Sequence, residues 1–133
     1  ATGNLDRVDQ QKNKMGNDFI QLSGEDGTAL EFNKRGGVGC ISVSANVAPK
    51  LCAEFQEATI IKNNGNSLTK AKAIEDQLSP LHKCLFIESN PSGVKYAASL
   101  LNLCTEEVRL PLVKITEETK EAVQSAMKFA NIL

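Results

Sequence analysis

The chain has 133 residues, of which 41% are hydrophobic and 23% are charged, and its formal net charge is −1 at pH 7. This composition is typical of a soluble globular protein that is long enough for a core of its own. The near-neutral charge argues against a nucleic-acid-binding protein, and no apolar run reaches the roughly 20 residues that cross a bilayer.

The first part of the chain alternates predicted helices and strands. A helix is predicted over residues 5–15, with Asn4 as its cap and Gly16 at its end. A strand is predicted over residues 19–23 and a short helix over residues 28–34. Because helices and strands alternate, we expect a parallel β-sheet in this part of the protein.

Residues 36–46 read Gly-Gly-Val-Gly-Cys-Ile-Ser-Val-Ser-Ala-Asn. The two glycines can end a helix, and the short apolar run over residues 38–43 is typical of a fully buried strand in a parallel sheet. Asn46 can cap the next helix, predicted over residues 47–62, with Pro49 in its first turn. The stretch therefore predicts a helix end, a buried strand and a helix start.

The second part of the chain is predicted to be helical throughout. A long helix starts near Ser67, and its apolar residues fall at spacings of three and four, which predicts one buried stripe. The stripe consists of Ala71, Ile74, Leu78, Leu81 and Leu85. Further helices are predicted to start at Asn90-Pro91, with Asn90 as the cap, and at Thr116.

This change of pattern predicts two domains, residues 1–62 and residues 63–133. Two strands cannot form a stable parallel sheet by themselves, because both of its edges stay open. A (β/α)8 barrel, by comparison, has eight strands and about 250 residues. We therefore expect that most of the sheet is missing from this chain.

The four cysteines lie in apolar contexts without a Cys-x-x-Cys pair, and they are Cys40, Cys52, Cys84 and Cys104. This pattern predicts reduced, buried thiols of a cytoplasmic protein, with a disulfide or metal framework as the alternative. We expect no metal site, because zinc needs closer ligand spacing, and no cofactor. The single histidine, His82, is predicted to be a packed helix residue rather than a catalyst, since the sequence places no carboxylate beside it.

Several segments taken together resemble dihydrodipicolinate synthase (4-hydroxy-tetrahydrodipicolinate synthase), a family of the pyruvate-dependent class I aldolase and N-acetylneuraminate lyase superfamily. They are residues 1–5, 22–26, 36–48, 80–83, 86–91, 94–95 and 110–112. The most specific are Ile-Ser-Val-Ser-Ala-Asn at 41–46 and Glu-Ser-Asn-Pro at 88–91. The resemblance implies an α/β fold: the end of strand 6 and strands 7 and 8 of a (β/α)8 TIM barrel with their helices, followed by an all-helical C-terminal domain.

The resemblance implies a lyase that condenses pyruvate with L-aspartate 4-semialdehyde to 4-hydroxy-tetrahydrodipicolinate in lysine and diaminopimelate biosynthesis. In that family a lysine on the sixth strand, in a Lys-Glu-Ala-Thr-Gly context, forms a Schiff base with pyruvate. This chain opens with Ala1, Thr2 and Gly3, so the lysine is expected just upstream of Ala1. The segment would then contain no catalytic residue, and we expect it to be inactive alone.

The substrate-binding residues implied by the resemblance lie at the ends of the two predicted strands. The backbones of Gly24 and Ile41 are expected to face pyruvate, because bare backbone can approach a small keto acid closely. Glu25 and Asp26 are expected near the second substrate, although the family more often has aspartate at position 25; the alternative is a solvated loop before a helix. Asn90 is expected to line the cavity, to cap a helix, or both.

The partners implied are the missing N-terminal half of the barrel and further copies of the protein, as a dimer or homotetramer. Leu5 suits such an interface, whereas Arg35 is charged where an apolar residue is often found. No nucleic acid and no membrane are expected as partners. Two alternatives stay open: a fragment of an aldolase of the N-acetylneuraminate lyase type, and a non-catalytic truncated interaction module.

Overall fold

A computed structural model of the chain describes residues 2–60 and 65–133. These residues form six α-helices and two turns of 3-10 helix. The α-helices are α1 (Asp6–Met15), α2 (Ala29–Lys34), α3 (Pro49–Ile60), α4 (Gly65–Cys84), α5 (Ser92–Leu100) and α6 (Glu117–Phe129). The 3-10 turns span Asp26–Thr28 and Ser44–Asn46. No helix within the described ranges is both long and apolar enough to cross a bilayer.

Helix α1 begins and ends close to its predicted positions. The Asn4 side-chain oxygen accepts a hydrogen bond from the backbone N–H of Asp6 at 3.0 Å, which satisfies one free donor of the first turn. Gly16 follows the last turn with φ of 87°, a conformation that glycine adopts without a steric penalty. Its N–H donates to the carbonyl of Lys12. The predicted helix is therefore confirmed over Asp6–Met15, but Leu5 and not Asn4 occupies its cap position.

Two extended segments pair in parallel, and we call residues 21–23 and 38–41 the bridge segments. Ser23 and Cys40 form a single isolated parallel bridge, and three backbone hydrogen bonds join the segments. Each runs from an N–H to a carbonyl: Val38 to Gln21 (3.0 Å), Ser23 to Gly39 (2.9 Å) and Ile41 to Ser23 (2.8 Å). The predicted parallel relationship is confirmed.

The predicted strands themselves, over residues 19–23 and 38–43, are wrong as complete elements, since the described part of the chain contains no β-strand. The predicted full burial is also wrong, because Val38 is 46% exposed and Ile41 is 73% exposed. The physical reason is that each bridge segment has only the other as a neighbour. Its outer edge and one of its faces are therefore left uncovered.

The helices of the second part pack as the sequence predicts. All five residues of the predicted stripe are buried, and Leu81 and Leu85 have no exposed surface. Four of them lie in α4, and Leu85 directly follows its last residue. Helix α4 packs against α3 and α6, and α5 packs against α6. The hydrophobic core also takes in Leu30 and Val47 from the first part, so it is continuous across both predicted domains. The predicted boundary at 62/63 lies outside the described residues, as do residues 61 and 62 of the helix predicted over 47–62.

The predicted cap is correct for the last helix, α6, and wrong for the helix before it, α5. Helix α6 starts at the predicted cap, because the Thr116 hydroxyl accepts a hydrogen bond from the N–H of Thr119. Helix α5 starts at Ser92, and Pro91 occupies the cap position without a side-chain hydrogen bond. The prediction that Asn90 caps this helix is wrong, because Asn90 lies one residue too early in the chain.

The cysteines are all free thiols, and their burial is uneven. Cys84 is buried, Cys40 and Cys52 are half-buried, and Cys104 is exposed. The prediction of four buried thiols is therefore confirmed for Cys84, met only in part by Cys40 and Cys52, and wrong for Cys104. This residue follows the end of α5 in a loop, outside the packed helices.

Candidate functional site

The parallel bridge brings together the two backbone positions predicted to face a keto acid. Gly24 directly follows Ser23, and the Ser23 carbonyl accepts the hydrogen bond from the N–H of Ile41. The loops after the two bridge segments therefore start side by side, as loops at the carboxyl ends of parallel strands do. The Ile41 residue is 73% exposed, so this position lies at the surface of the described chain.

The loop after the first bridge segment is held by its own polar side chains. The Ser23 hydroxyl accepts a hydrogen bond from the N–H of Glu25 at 3.0 Å and donates to the Glu25 carbonyl at 3.1 Å. The Glu25 carboxylate accepts from the N–H of Gly27 at 3.3 Å and caps the first 3-10 turn. Glu25 is half-buried, so part of its surface remains available to a ligand.

Asp26 is turned toward the other loop. Its side chain is buried, and its Oδ2 accepts hydrogen bonds from the backbone N–H groups of Val43 (2.9 Å) and Ser44 (3.1 Å). The Cys40 thiol lies 3.8 Å from its Oδ1. The acidic pair is therefore divided: Glu25 closes its own loop, and Asp26 joins the loops after the two bridge segments.

An open cavity of about 230 Å³ lies beside Gly24, between the start of α1 and the loop after the first bridge segment. Its lining combines a cation, a carboxylate and uncharged polar groups. They are Thr2, Asn4, Arg7, Gln11, Ser23, Glu25 and Thr28. Charged groups of both signs beside exposed backbone suit a small polar ligand. Neither Ile41 nor Asn90 lines this cavity, and Asn90 is exposed just before α5.

A second cavity of about 250 Å³ lies on the inner side of the second bridge segment. Its polar lining groups are Asp26, Cys40, Ser42, Cys52, Gln56 and His82. Burial and the neighbouring Asp26 raise the pKa of the Cys40 thiol to about 12, and burial also raises the pKa of Cys52. Both thiols are therefore protonated near neutral pH and are poor nucleophiles.

His82 makes a contact that the sequence did not predict. Its Nδ1 lies 2.7 Å from the Ser44 hydroxyl oxygen, although 38 residues separate the two positions. Burial lowers the pKa of the imidazole below its usual value, and the charges of Asp26 and Glu25 oppose that effect. No local sequence pattern could have revealed this pair, because the packing of α4 against the first part of the chain creates it.

The described residues supply no amine nucleophile to either cavity. No lysine lines the cavity beside Gly24 or the one beside His82. Lys50 and Lys83 are exposed, and Lys95 is half-buried in α5. No group of three or more His, Cys, Asp or Glu side chains within residues 2–60 and 65–133 is arranged to hold a metal ion.

Comparison with known proteins gives a match to the dihydrodipicolinate synthetase family over residues 1–130. The 4-hydroxy-tetrahydrodipicolinate synthase of Pelagibacter ubique is 62% identical over all 133 residues, which cover 45% of that protein. The dihydrodipicolinate synthase of Aquifex aeolicus superposes with a TM-score of 0.90 at 34% identity, over 99% of this chain and 44% of its own. The chloride-inhibited dihydrodipicolinate synthase of Acinetobacter baumannii, complexed with pyruvate, gives a TM-score of 0.90 at 35% identity. The match covers 100% of this chain and 44% of that protein's chain.

The fold class expected from the sequence is confirmed by these superpositions. The chain matches the C-terminal part of TIM-barrel synthases and includes their helical C-terminal region. It spans less than half the length of the relatives and of the solved structures that it matches.

Proposed function

Because the chain belongs to the dihydrodipicolinate synthetase family, we propose that its protein condenses pyruvate with L-aspartate 4-semialdehyde to 4-hydroxy-tetrahydrodipicolinate. The observation that carries the proposal is the hydrogen bond between the Ile41 N–H and the Ser23 carbonyl. It places the backbones at Gly24 and Ile41 next to each other at the carboxyl ends of two parallel segments. Substrates of (β/α)8 enzymes bind at this end of the barrel.

In this proposal the chain binds substrates, and another part of the protein supplies the reactive amine. A lysine amine adds to the pyruvate carbonyl, and the resulting carbinolamine loses water to form an imine. The imine loses a methyl proton to give an enamine, which attacks the aldehyde carbon. The amino group of the semialdehyde then attacks the imine carbon, which closes the ring and releases the lysine. No lysine lines either cavity, which agrees with a reactive lysine expected just upstream of Ala1. The segment alone is then inactive.

The site residues have four different roles under this proposal. The backbones of Gly24 and Ile41 face the pyruvate-derived group, and Glu25 contributes to the site of the second substrate, because it lines the cavity beside Gly24. Asp26 supports that site indirectly by holding the other loop in place, because both backbone N–H groups that it accepts from belong to that loop. Asn90 is proposed to reach the substrate cavity only in the assembled barrel.

The uncovered bridge segments support the N-terminal half of a barrel as the partner of this chain. Their exposed apolar side chains are Leu22, Val38 and Ile41, and Phe19 and Ile20 are exposed just before the first segment. Parallel strands in this fold class are covered on both faces and paired on both edges. Further strands from the same protein would bury these side chains and pair both outer edges.

We also propose that the protein is cytoplasmic and forms a homo-oligomer, a dimer or a tetramer.

The proposal is tested by trapping the imine with borohydride in the presence of pyruvate. We expect a pyruvate adduct on the protein prepared at the full length of its relatives, and none on residues 1–133 alone. The full-length protein with the expected upstream lysine replaced by arginine is the control. Absence of an adduct on the full-length protein, or an adduct on the 133 residues alone, would overturn the assignment.

The choice of aldehyde separates this reaction from that of an N-acetylneuraminate lyase. The full-length protein should turn over aspartate semialdehyde with pyruvate, and it should not turn over N-acetylmannosamine. An enzyme that forms the pyruvate adduct but prefers the sugar aldehyde would keep the imine chemistry and contradict the proposed second substrate.

A further inference from the structure

The turn after the second bridge segment is held from two directions. From the first loop, Asp26 accepts hydrogen bonds from the N–H groups of Val43 and Ser44. From α4, His82 contacts the Ser44 hydroxyl at 2.7 Å. Ser44 has no exposed surface, so its hydroxyl depends on protein partners for hydrogen bonding.

We propose that His82 is a positioning residue, which holds the backbone at Ile41 in the geometry that binds the keto acid. The inference rests on the proposed function. Ile41 lies three residues before Ser44, and its own N–H is fixed to the Ser23 carbonyl at 2.8 Å. The stretch from Ile41 to Ser44 is therefore anchored at both ends, by Ser23 at the start and by Asp26 and His82 at the finish.

The chemistry of the pair suits this role in either tautomer of the imidazole. The Ser44 hydroxyl can donate to a bare Nδ1 or accept from a protonated one, so the bond forms in both cases. Removing the imidazole leaves a buried hydroxyl without this partner. We expect the turn to shift to satisfy that hydroxyl, and a shift of about 1 Å near a substrate can lower activity about 100-fold.

Three substitutions at position 82 separate positioning from general packing. In His82→Asn a polar atom stays close to the place of Nδ1, and in His82→Gln it moves to the place of Nε2. In His82→Leu there is no polar atom at either place. Lys83→Leu, at the exposed neighbouring residue, is the control. Each variant is made in the full-length protein, and the KM for pyruvate, kcat and the urea unfolding midpoint are measured.

We expect kcat/KM for pyruvate to fall about 10- to 100-fold in His82→Leu and His82→Gln, mainly through KM, and to return to within about threefold of the wild-type value in His82→Asn. Ser44→Ala should also lower kcat/KM, because it breaks the same hydrogen bond, and the double variant should be no worse than His82→Leu, because no buried hydroxyl is then left without a partner. Lys83→Leu should match the wild type.

An unchanged KM in His82→Leu would overturn the inference, as would equal losses in His82→Asn and His82→Leu. A role in stability alone would lower the unfolding midpoint and leave KM unchanged. The outcome is distinct from a failure of the proposed function, which would appear in the wild-type protein as a missing pyruvate adduct.

Discussion

The Asp26 carboxylate accepts a hydrogen bond from the backbone N–H of Ser44 at 3.1 Å, across 18 residues of chain. A second bond from the N–H of Val43 makes this side chain the link between the two loops of the candidate site. A pair of adjacent acidic residues in a loop would ordinarily indicate a solvated surface or a substrate contact. Here one of the two carboxylates satisfies the backbone of a neighbouring loop.

Replacing Asp26 by alanine should destabilise the protein. The change leaves the N–H groups of Val43 and Ser44 without their acceptor, and an unsatisfied buried donor costs about 1–3 kcal/mol. We expect the free energy of unfolding in the full-length protein to fall by about 2 kcal/mol or more, measured by urea denaturation. Asp18→Ala, at an exposed aspartate, is the control and should change little. Equal effects of both variants would contradict the role assigned to Asp26.

Gly93 should tolerate no larger residue, because α5 starts against the end of α4. A Cβ atom at Gly93 would lie 2.9 Å from the carbonyl oxygen of Leu85, which is backbone and cannot rotate away. We expect Gly93→Ala to lower the free energy of unfolding by about 1–3 kcal/mol, as overpacked sites do. Gly27→Ala is the matched control, since its Cβ would meet only the Glu25 side chain at 3.5 Å. An unfolding midpoint of Gly93→Ala at or above that of the control would contradict this packing.

Among the four cysteines described, Cys104 should react first with a thiol reagent. Burial raises the pKa of Cys40 to about 12 and that of Cys84 to about 11, so both stay protonated at neutral pH, and the thiolate is the reactive form. Cys104 is exposed. Labelling with N-ethylmaleimide near pH 8, followed by peptide mass spectrometry, should find Cys104 modified well before the others.

The pH dependence of the labelling rate is a second test of the same prediction. Modification of Cys40 and Cys84 should accelerate only as the pH rises toward the raised pKa values, because deprotonation creates the nucleophile. In Cys104→Ser the fast label should disappear and the slow labels should remain. Labelling of Cys40 at the rate of Cys104 near pH 8 would contradict the burial of that thiol.

Local chemistry in the sequence predicted several features that the structure confirms. Gly16 ends α1 because glycine adopts a positive φ without a steric penalty. Thr116 starts α6 because its side-chain oxygen accepts a hydrogen bond from the first turn. Both effects act within a few residues. The apolar spacing in α4 predicted its buried face, since helical periodicity decides which side chains share a side. The cap assigned to Asn90 failed because the helix begins two residues later, at Ser92.

Contacts between residues far apart in the chain could not be predicted from the sequence. Whether residues 38–43 form a strand depends on neighbours at both edges, and the described chain offers a neighbour at one edge only. The contact of His82 with Ser44 depends on how α4 lies against the first part of the chain. The burial of individual thiols depends on the same packing.

The order of the residues by itself determined where most helices lie, which faces they bury and, through its motifs, the family expected. These are consequences of short-range geometry, which repeats every few residues. The tertiary structure alone decided that Asp26 faces a backbone rather than solvent, that His82 reaches Ser44, and that Ile41 lies beside Ser23. Such relationships arise when separate segments pack, because hydrogen-bond partners far apart in the chain become neighbours only in the folded protein.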